Sequence, residues 1–157
     1  MPRIRVYGQR SKLGFGIFYS ELLDSLKGLA VFGSIVEGVD PTVEEQMTAA
    51  VGSSSHEDIN IWFWLNSSIQ STKGIHIVWS LFESDVLDQD YINSHLSLAH
   101  VIWTPSSWGR KVLVEHGVPE DRVDVVPGGV NPSLFHPLLR SSNNTSGSPF
   151  RFLTIGK

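Results

Sequence analysis

The chain has 157 residues, of which 41% are hydrophobic and 18% charged, with a formal net charge of −4. This length and composition are typical of one globular domain with its own core. Because the sequence contains no cysteine, disulfide frameworks and thiolate metal sites are excluded within it. The acidic balance argues against a nucleic-acid partner. The sequence carries neither a signal peptide pattern nor an apolar run of about 18 residues, so we expect a cytoplasmic protein.

The first half of the chain predicts two strands and two helices. Residues 4–7 alternate apolar and polar side chains and predict a short strand. An apolar stripe at helical spacing then predicts a helix over 17–28, and the run 29–32 predicts a second strand. Asp40 precedes a proline and two glutamates, a pattern that predicts a capped helix from Pro41 to about Val51.

The second half continues this alternation of strands and helices. Dense apolar runs at 59–65 and 74–82 predict central strands that are covered on both faces. The remaining predicted elements are a helix at 88–99, a strand at 101–104, a helix ending near Glu115 and a strand at 122–126. The order predicts an α/β fold, a Rossmann-like doubly wound and mostly parallel sheet with right-handed crossovers. A Ser/Asn/Gly-rich segment at 138–149 predicts a linker between a domain at 1–137 and a further strand at 150–157.

A glycine loop separates the first predicted strand from the first helix. Gly14 and Gly16 would let the backbone approach a ligand, and the helix start offers free N–H groups. Lys12 or Arg10 would add positive charge for a phosphate. The G-x-G spacing lacks the third glycine of the dinucleotide motif, so a tight turn without a ligand is an equal alternative. The basic cluster of residues 3–12 is otherwise expected to be a solvated face.

Polar side chains follow the strand predicted at 74–82. Since ligands of open α/β sheets collect at the carboxyl ends of the strands, Glu83 and Asp85 are candidates to accept a proton from a hydroxyl or to bind it. The alternative is structural: Asp85 would cap the following segment and Glu83 would be solvated.

Two further segments near the same edge are candidates for ligand binding. Ser107 follows a strand and could contact an acceptor or phosphate, although Ser106 or Ser107 could also simply cap the helix. Gly128 and Gly129 follow the last predicted strand of the domain and leave the backbone open to a ligand. Two apolar residues, Val130 and Phe135, are expected to anchor this segment. We expect His76 to pack within the sheet and the tryptophans to form core and cleft wall.

The order of these motifs resembles that of family-4 glycosyltransferases of the GT-B fold. The similarity rests on the runs TPSSWGRKVLVEHGVP, VPGGVN and IGK, covers residues 74–157 best, and agrees with the glycine loop and helix at 14–26. It implies two Rossmann-like domains facing each other across a cleft, the first binding a carbohydrate or lipid-linked acceptor. The chain would comprise that first domain and the first strand of a C-terminal donor-binding domain that lies beyond it.

The resemblance also implies roles for individual residues. Gly14 and Gly16 would approach the diphosphate of a UDP- or GDP-linked sugar, the donor substrate. Glu83 and Asp85 occupy the loop where the family carries a histidine or acidic residue near the reacting sugar. Lys157 stands where an arginine that meets phosphate is usual. No metal and no other cofactor are implied.

Some positions depart from the family pattern. The usual VPNGVD contains Gly128 and Asn131 here, and His100 stands where an aspartate is common. The carboxylates that hold nucleotide and sugar would lie beyond Lys157, so we expect the chain alone to be inactive. A non-catalytic binding module and another nucleotide-binding α/β protein, such as a GT-B-type epimerase, remain alternatives. An exposed apolar edge would favour self-association of the fragment, and a lipid-linked acceptor would favour peripheral membrane association.

Overall fold

The computed structural model describes residues 3–12, 14–29, 34–63 and 72–133. Within them, six parallel strands form one sheet in the order β2-β1-β3-β4-β5-β6. The strands are β1 Arg3–Tyr7, β2 Ile35–Val39, β3 Ile59–Phe63, β4 Ile75–Trp79, β5 Val101–Thr104 and β6 Val123–Val125. The predicted α/β class with a doubly wound, Rossmann-like sheet is thereby confirmed, and all the described pairings are parallel.

Helices connect the strands and lie on both faces of the sheet. They are α1 Gly14–Gly28, α2 Glu44–Gly52, α3 Gln89–Ser94 and α4 Ser107–Glu115, with short 3-10 turns at Leu96–Leu98 and Glu120–Arg122. The chain moves from β1 outward to β2 and then passes back over β1 to β3, after which every step continues in that direction. With right-handed crossovers, this reversal sends α1 to one face and the later helices to the other.

Helix α1 packs closely on β1 and β2 because glycines lie under it. A Cβ on Gly8 would come within 2.6 Å of the Tyr19 ring, and one on Gly38 within 2.5 Å of Leu23 Cδ2. Both helix residues are buried in the core of this face, together with Val6 of β1. No helix among the described residues covers the same face over β4, β5 and β6, so the groove described below stays open there.

The other face carries a larger core under α2, α3 and α4. At its centre the Tyr7 and Trp62 rings stack with centroids 3.8 Å apart and planes 8° from parallel. Both residues are fully buried, as are Ile102 of β5 and Leu113 of α4. These side chains fix the four central strands and hence the positions of the loops at their carboxyl ends.

The second strand is not where the sequence predicts it. The prediction chose 29–32, but β2 is Ile35–Val39, and Leu29 lies in a turn with 71% of its surface exposed. The sequence IVEGV is a weak strand signal because it contains a glutamate and a glycine. In the sheet, the Glu37 carboxylate accepts a hydrogen bond from the Arg5 guanidinium, and the absence of a side chain at Gly38 leaves room for α1. Residues 30–33 lie outside the described part of the chain.

Two helix boundaries also differ from prediction. Helix α2 begins at Glu44 rather than at Pro41, because the Asp40 carboxylate accepts hydrogen bonds from Thr42 N and Oγ1 and forms a local turn instead of a cap. The helix predicted at 88–99 is α3 followed by the 3-10 turn, and Asp88 caps it.

The remaining elements agree with prediction to within a few residues, except that Trp64 and Leu65 of the third predicted strand lie outside the described residues. So do the linker at 138–149 and the strand at 150–157. The part of the chain that is described contains no helix that is long and apolar enough to cross a bilayer.

Candidate functional site

A groove of about 710 Å³ opens between α1 and the segment that follows β6. One face of α1 forms one wall, since Gly14, Phe18 and Leu22 recur at helical spacing along it. Residues 127–132 form the other wall. A volume of this size suits a small-molecule ligand. The described lining residues are Gly14, Ile17, Phe18, Glu21, Leu22, Ser25, Trp79, Pro127, Gly129, Val130, Asn131 and Pro132.

The lining is largely apolar and includes the carboxyl end of β4. Trp79 is 4% exposed and packs edge-to-face against Phe18 and Trp103, with centroids 5.2 and 5.6 Å away. Its indole nitrogen is buried without a hydrogen-bond partner. Among the described lining residues, Glu21 carries the single charge. Such a lining favours a ligand with an apolar surface and a few hydroxyl groups over a free anion.

The glycine turn after β6 contacts α1 directly. A Cβ on Gly128 would lie 2.5 Å from Phe18 Cε2, whereas one on Gly129 would meet no atom within 4 Å. The turn therefore closes against the helix at Gly128 and stays open at Gly129. The expectation that Val130 is an anchor is wrong, because 74% of its surface is exposed at the groove. Phe135, the second expected anchor, lies outside the described residues.

Gly14 and Gly16 were predicted in a loop before the helix, but they are the first and third residues of α1, and only Gly14 lines the groove. Gly14 lines the groove, and no atom lies within 4 Å of where its Cβ would be. A Cβ on Gly16 would clash with Ser11, at 2.1 Å from Oγ and 2.3 Å from the backbone nitrogen. The loop thus folds back over Gly16, so the absent side chain accommodates Ser11. The phosphate contact predicted for Gly16 stays a prediction, and Lys12 is exposed on the same loop.

Glu83 and Asp85 lie in the loop after β4 and are both exposed. They are absent from the lining of the groove. Phe82, the residue before them, packs instead against the ring of Trp108 on α4, with centroids 5.6 Å apart. Asp85 does not cap α3, because the cap of that helix is Asp88, whose Oδ1 accepts the hydrogen bond from Asp90 N. The roles predicted for Glu83 and Asp85 toward a substrate stay predictions.

Ser106, rather than Ser107, caps α4. Its Oγ accepts a hydrogen bond of 3.1 Å from Gly109 N. Ser107 is the first residue of the helix and is exposed, so its hydroxyl is not used as the cap. A Cβ on Gly109 would lie 2.2 Å from Thr104 Oγ1, which explains how α4 can begin so close to the end of β5. The groove lining does not include Ser107.

The sequence suggested that Arg5 belongs to a solvated basic face, and this expectation is wrong. The Arg5 side chain is 1% exposed, and Nη1 donates to Asp58 Oδ2 at 2.7 Å. Nε donates to Glu37 at 3.1 Å and Nη2 to Ser53 Oγ at 2.9 Å. Burial raises the pKa of Asp58, but hydrogen bonds from Ser55 and Arg3 N and the Arg5 charge outweigh it and lower the pKa. Arg5 thus stabilises the fold and is not available to a phosphate.

His76 packs within the sheet, as predicted, and both of its ring nitrogens are engaged. Trp62 Nε1 donates to Nδ1 at 3.1 Å, and Nε2 lies 3.0 Å from the Thr72 carbonyl oxygen. The first contact requires an unprotonated Nδ1, so the ring is neutral with its proton on Nε2. Burial lowers the pKa of His76 and the charge of His100 adds to this, whereas the hydrogen bond to the Thr72 carbonyl acts in the opposite direction and raises the pKa.

The structure therefore unites only part of the predicted site. Gly14 and Gly129 line the groove with Gly128 beside them, whereas Lys12, Glu83, Asp85 and Ser107 are elsewhere at the surface, and Lys157 is not described. Sequence reasoning missed Ile17, Glu21 and Ser25. The helical spacing of these residues beside the Phe18 stripe was the available signal, but it could not show which face of the helix stays uncovered.

Within the described residues, no group of three or more histidine, aspartate or glutamate side chains is arranged to hold a metal ion. A scan of the chain against protein-family models and a search of curated proteins both returned no match.

Proposed function

We propose that this chain is the acceptor-side half of a glycosyltransferase that moves a sugar from a UDP- or GDP-linked donor to a carbohydrate or lipid-linked acceptor with retention. The observation that carries the proposal is the meeting of two motifs. The glycine loop at the start of α1 and the VPGGVN turn after β6 flank one groove, joined by the contact of Gly128 with Phe18. The sequence resemblance rests in part on the second of these motifs and agrees with the first.

The lining of the groove supports an acceptor rather than a nucleotide as its occupant. Glu21 would repel a phosphate, while its carboxylate and the Ser25 hydroxyl can bind the hydroxyl groups of a sugar. The apolar walls, including Ile17 and Val130, suit the flat faces of sugar rings or an attached hydrocarbon. The donor would then lie at the carboxyl edge of the sheet, near the start of α1, where the helix N-terminus favours a diphosphate.

The chemistry would take place between these two positions. Lys12 and the backbone N–H groups at Gly14 would stabilise the negative charge that grows on the leaving diphosphate. Glu83 or Asp85 would accept the proton of the attacking hydroxyl or orient it. Most donor contacts would come from a second domain, so the 157 residues alone would bind acceptor without transferring sugar.

Sugar transfer is tested with the whole protein that contains this sequence. It is incubated with a panel of UDP- and GDP-sugars and of saccharide and lipid-linked acceptors, and the products are analysed by mass spectrometry and proton NMR. We expect transfer with the anomeric configuration of the donor retained. Epimerised donor without transfer would favour the epimerase, and binding without any turnover would favour the non-catalytic module. Either result would overturn the proposal.

The acceptor groove is tested separately with a matched pair of variants. Ile17 and Ile75 are isoleucines with 51% and 48% of their surface exposed, and only Ile17 lines the groove. We expect Ile17→Trp to weaken acceptor binding, measured by NMR titration of the 157-residue chain, and Ile75→Trp to leave it unchanged. Equal effects of the two variants would show that the groove is not the acceptor site.

A further inference from the structure

The groove beside α1 has a one-sided distribution of charge. Glu21 is the only charged residue among its described lining residues, and it lies one helical turn before Ser25 on the same face of α1. The side chains around this pair are apolar, with Ile17 and Leu22 on the helix and Val130 on the opposite wall. A groove of this composition fits a ligand that presents apolar surface to the walls and a positive charge to the carboxylate.

The Glu21 carboxylate is available to such a ligand. Glu21 is exposed, and no basic side chain in the described ranges forms an ion pair with it. Arg10, which precedes the helix, is paired with the next carboxylate along it, because Arg10 Nη2 lies 3.8 Å from Asp24 Oδ1. Lys12 does not line the groove. The groove therefore keeps the negative charge of Glu21.

Two neutral polar groups of the lining can bind hydroxyl groups. The Ser25 hydroxyl can donate and accept hydrogen bonds. On the opposite wall, Asn131 Oδ1 accepts a hydrogen bond of 3.0 Å from Ser133 N, so its amide NH2 group remains as a donor toward the groove. One carboxylate, one hydroxyl and one amide among apolar walls match a sugar that carries an amine better than one that carries a phosphate or carboxylate, which Glu21 would repel.

We propose that the acceptor bound in this groove is an amino sugar linked to an apolar group, and that Glu21 selects it by pairing with its ammonium group. This inference rests on the proposed acceptor role of the groove and names the class of acceptor. The carboxylate favours the protonated form of the amine, and a protonated amine has no lone pair with which to attack a donor. The amine therefore serves for recognition and leaves the hydroxyl groups of the acceptor as nucleophiles.

A matched series of ligands tests this selection by NMR titration of the 157-residue chain. The series comprises hexyl β-glucoside, its two counterparts with an amine at C2 or C6, and hexyl β-glucuronide, which share the apolar group and differ in charge. We expect the better of the two amines to bind about two- to fivefold more tightly than the glucoside, as for an ion pair at an exposed site, and the glucuronide to bind more weakly by a similar factor. The preference should shrink at high salt, because mobile ions screen the pair.

Two glutamate variants form a matched comparison. Glu21→Gln removes the charge from the groove and keeps the size of the side chain, so we expect it to abolish the difference between amine and glucoside. Glu45→Gln removes the same charge from an exposed position on α2, on the other face of the sheet, and should leave the difference intact. If Glu21→Gln retains the preference, or if both variants lose it equally, Glu21 is not the selecting group.

The same titrations separate failure of this inference from failure of the proposed acceptor site. If all four ligands shift the signals of Ile17 and Val130 and bind with equal affinity, the selection for an amine is overturned and the acceptor groove stands. Tighter binding of the glucuronide would likewise overturn the selection alone. If no ligand shifts these signals, the groove does not bind an acceptor, and both proposals are overturned.

Discussion

The sharpest prediction concerns the buried ion pair of Arg5 and Asp58, which lies next to Ser53 at the C-terminal end of α2. Asp58→Ala would leave the Arg5 guanidinium, now 1% exposed, without its closest counter-ion at 2.7 Å. Removal of one partner of a buried pair costs about 3–5 kcal/mol, because the other charge stays desolvated. Glu37 and Ser53 still contact Arg5, which argues for the lower end of this range. The hydrogen bonds from Arg3 N and Ser55 N to Asp58 are lost as well. We therefore expect a loss of about 3 kcal/mol.

The assay is urea denaturation at pH 7.5, followed by tryptophan fluorescence and far-UV circular dichroism. With a slope of about 2 kcal/mol per molar urea, a loss of 3 kcal/mol lowers the midpoint by about 1.5 M. Glu57→Ala is the matched control, because it removes the same charge from the exposed neighbouring residue. The control should shift stability by no more than about 0.5 kcal/mol.

A double variant separates the cost of an unpaired charge from the worth of the pair. Arg5→Met with Asp58→Leu removes both charges and fills the space with apolar groups, so it should recover part of the stability that Asp58→Ala loses. Equal midpoints for Asp58→Ala and Glu57→Ala would refute the reasoning. If the double variant is less stable than Asp58→Ala, the loss of stability comes from losing the attraction between the two charges and not from leaving Arg5 unpaired.

Three further predictions follow from close contacts and from the same carboxylate. Gly128→Ala would bring a Cβ to within 2.5 Å of Phe18 and should lower the free energy of unfolding by about 1–2 kcal/mol. The control Gly129→Ala meets no atom and should change it by no more than about 0.5 kcal/mol. Equal melting temperatures of the two variants would contradict the contact between Gly128 and Phe18. Gly16→Ala should likewise cost about 1–3 kcal/mol through Ser11, and Gly14→Ala should be nearly neutral, as thermal denaturation can show. Because the pKa of Asp58 is lowered in the fold, its stabilisation is complete above its unfolded value of 3.8 and is lost as the pH falls through the folded pKa. The chain should therefore lose stability below about pH 4, and Asp58→Asn should flatten that part of the pH profile of urea midpoints.

The sequence predicted those parts of the fold whose signals are local. The alternating and continuous apolar runs located β1, β3, β4 and β5, and the amphipathic stripe located α1. The strand β2 escaped prediction because its residues fit only in their final surroundings. Glu37 is accommodated in the strand because it accepts a hydrogen bond from the Arg5 guanidinium. Gly38 suits its position because α1 packs so closely on it that a side chain would clash.

The candidate site was predicted in part for the same reason. Gly14, Gly128 and Gly129 were recognisable from their position after predicted strands, since the carboxyl ends of parallel strands meet at one edge. Residues on the uncovered side of α1, such as Glu21 and Ser25, gave no such signal. Their place in the groove depends on which part of the sheet the helix leaves open, and that is a matter of packing between distant segments.

By itself, the sequence determined the class of the fold, because the apolar periodicities of strands and helices are patterns among residues that are close together in the chain. It also determined which segments reach the carboxyl edge. Only the tertiary structure decided the environment of the ionisable groups. Arg5 and His76 become buried through partners 53 and 14 residues away, Asp58 and Trp62. Burial and charge pairing act through space, so the pattern along the chain could not distinguish the buried Arg5 from the exposed Lys12 seven positions later.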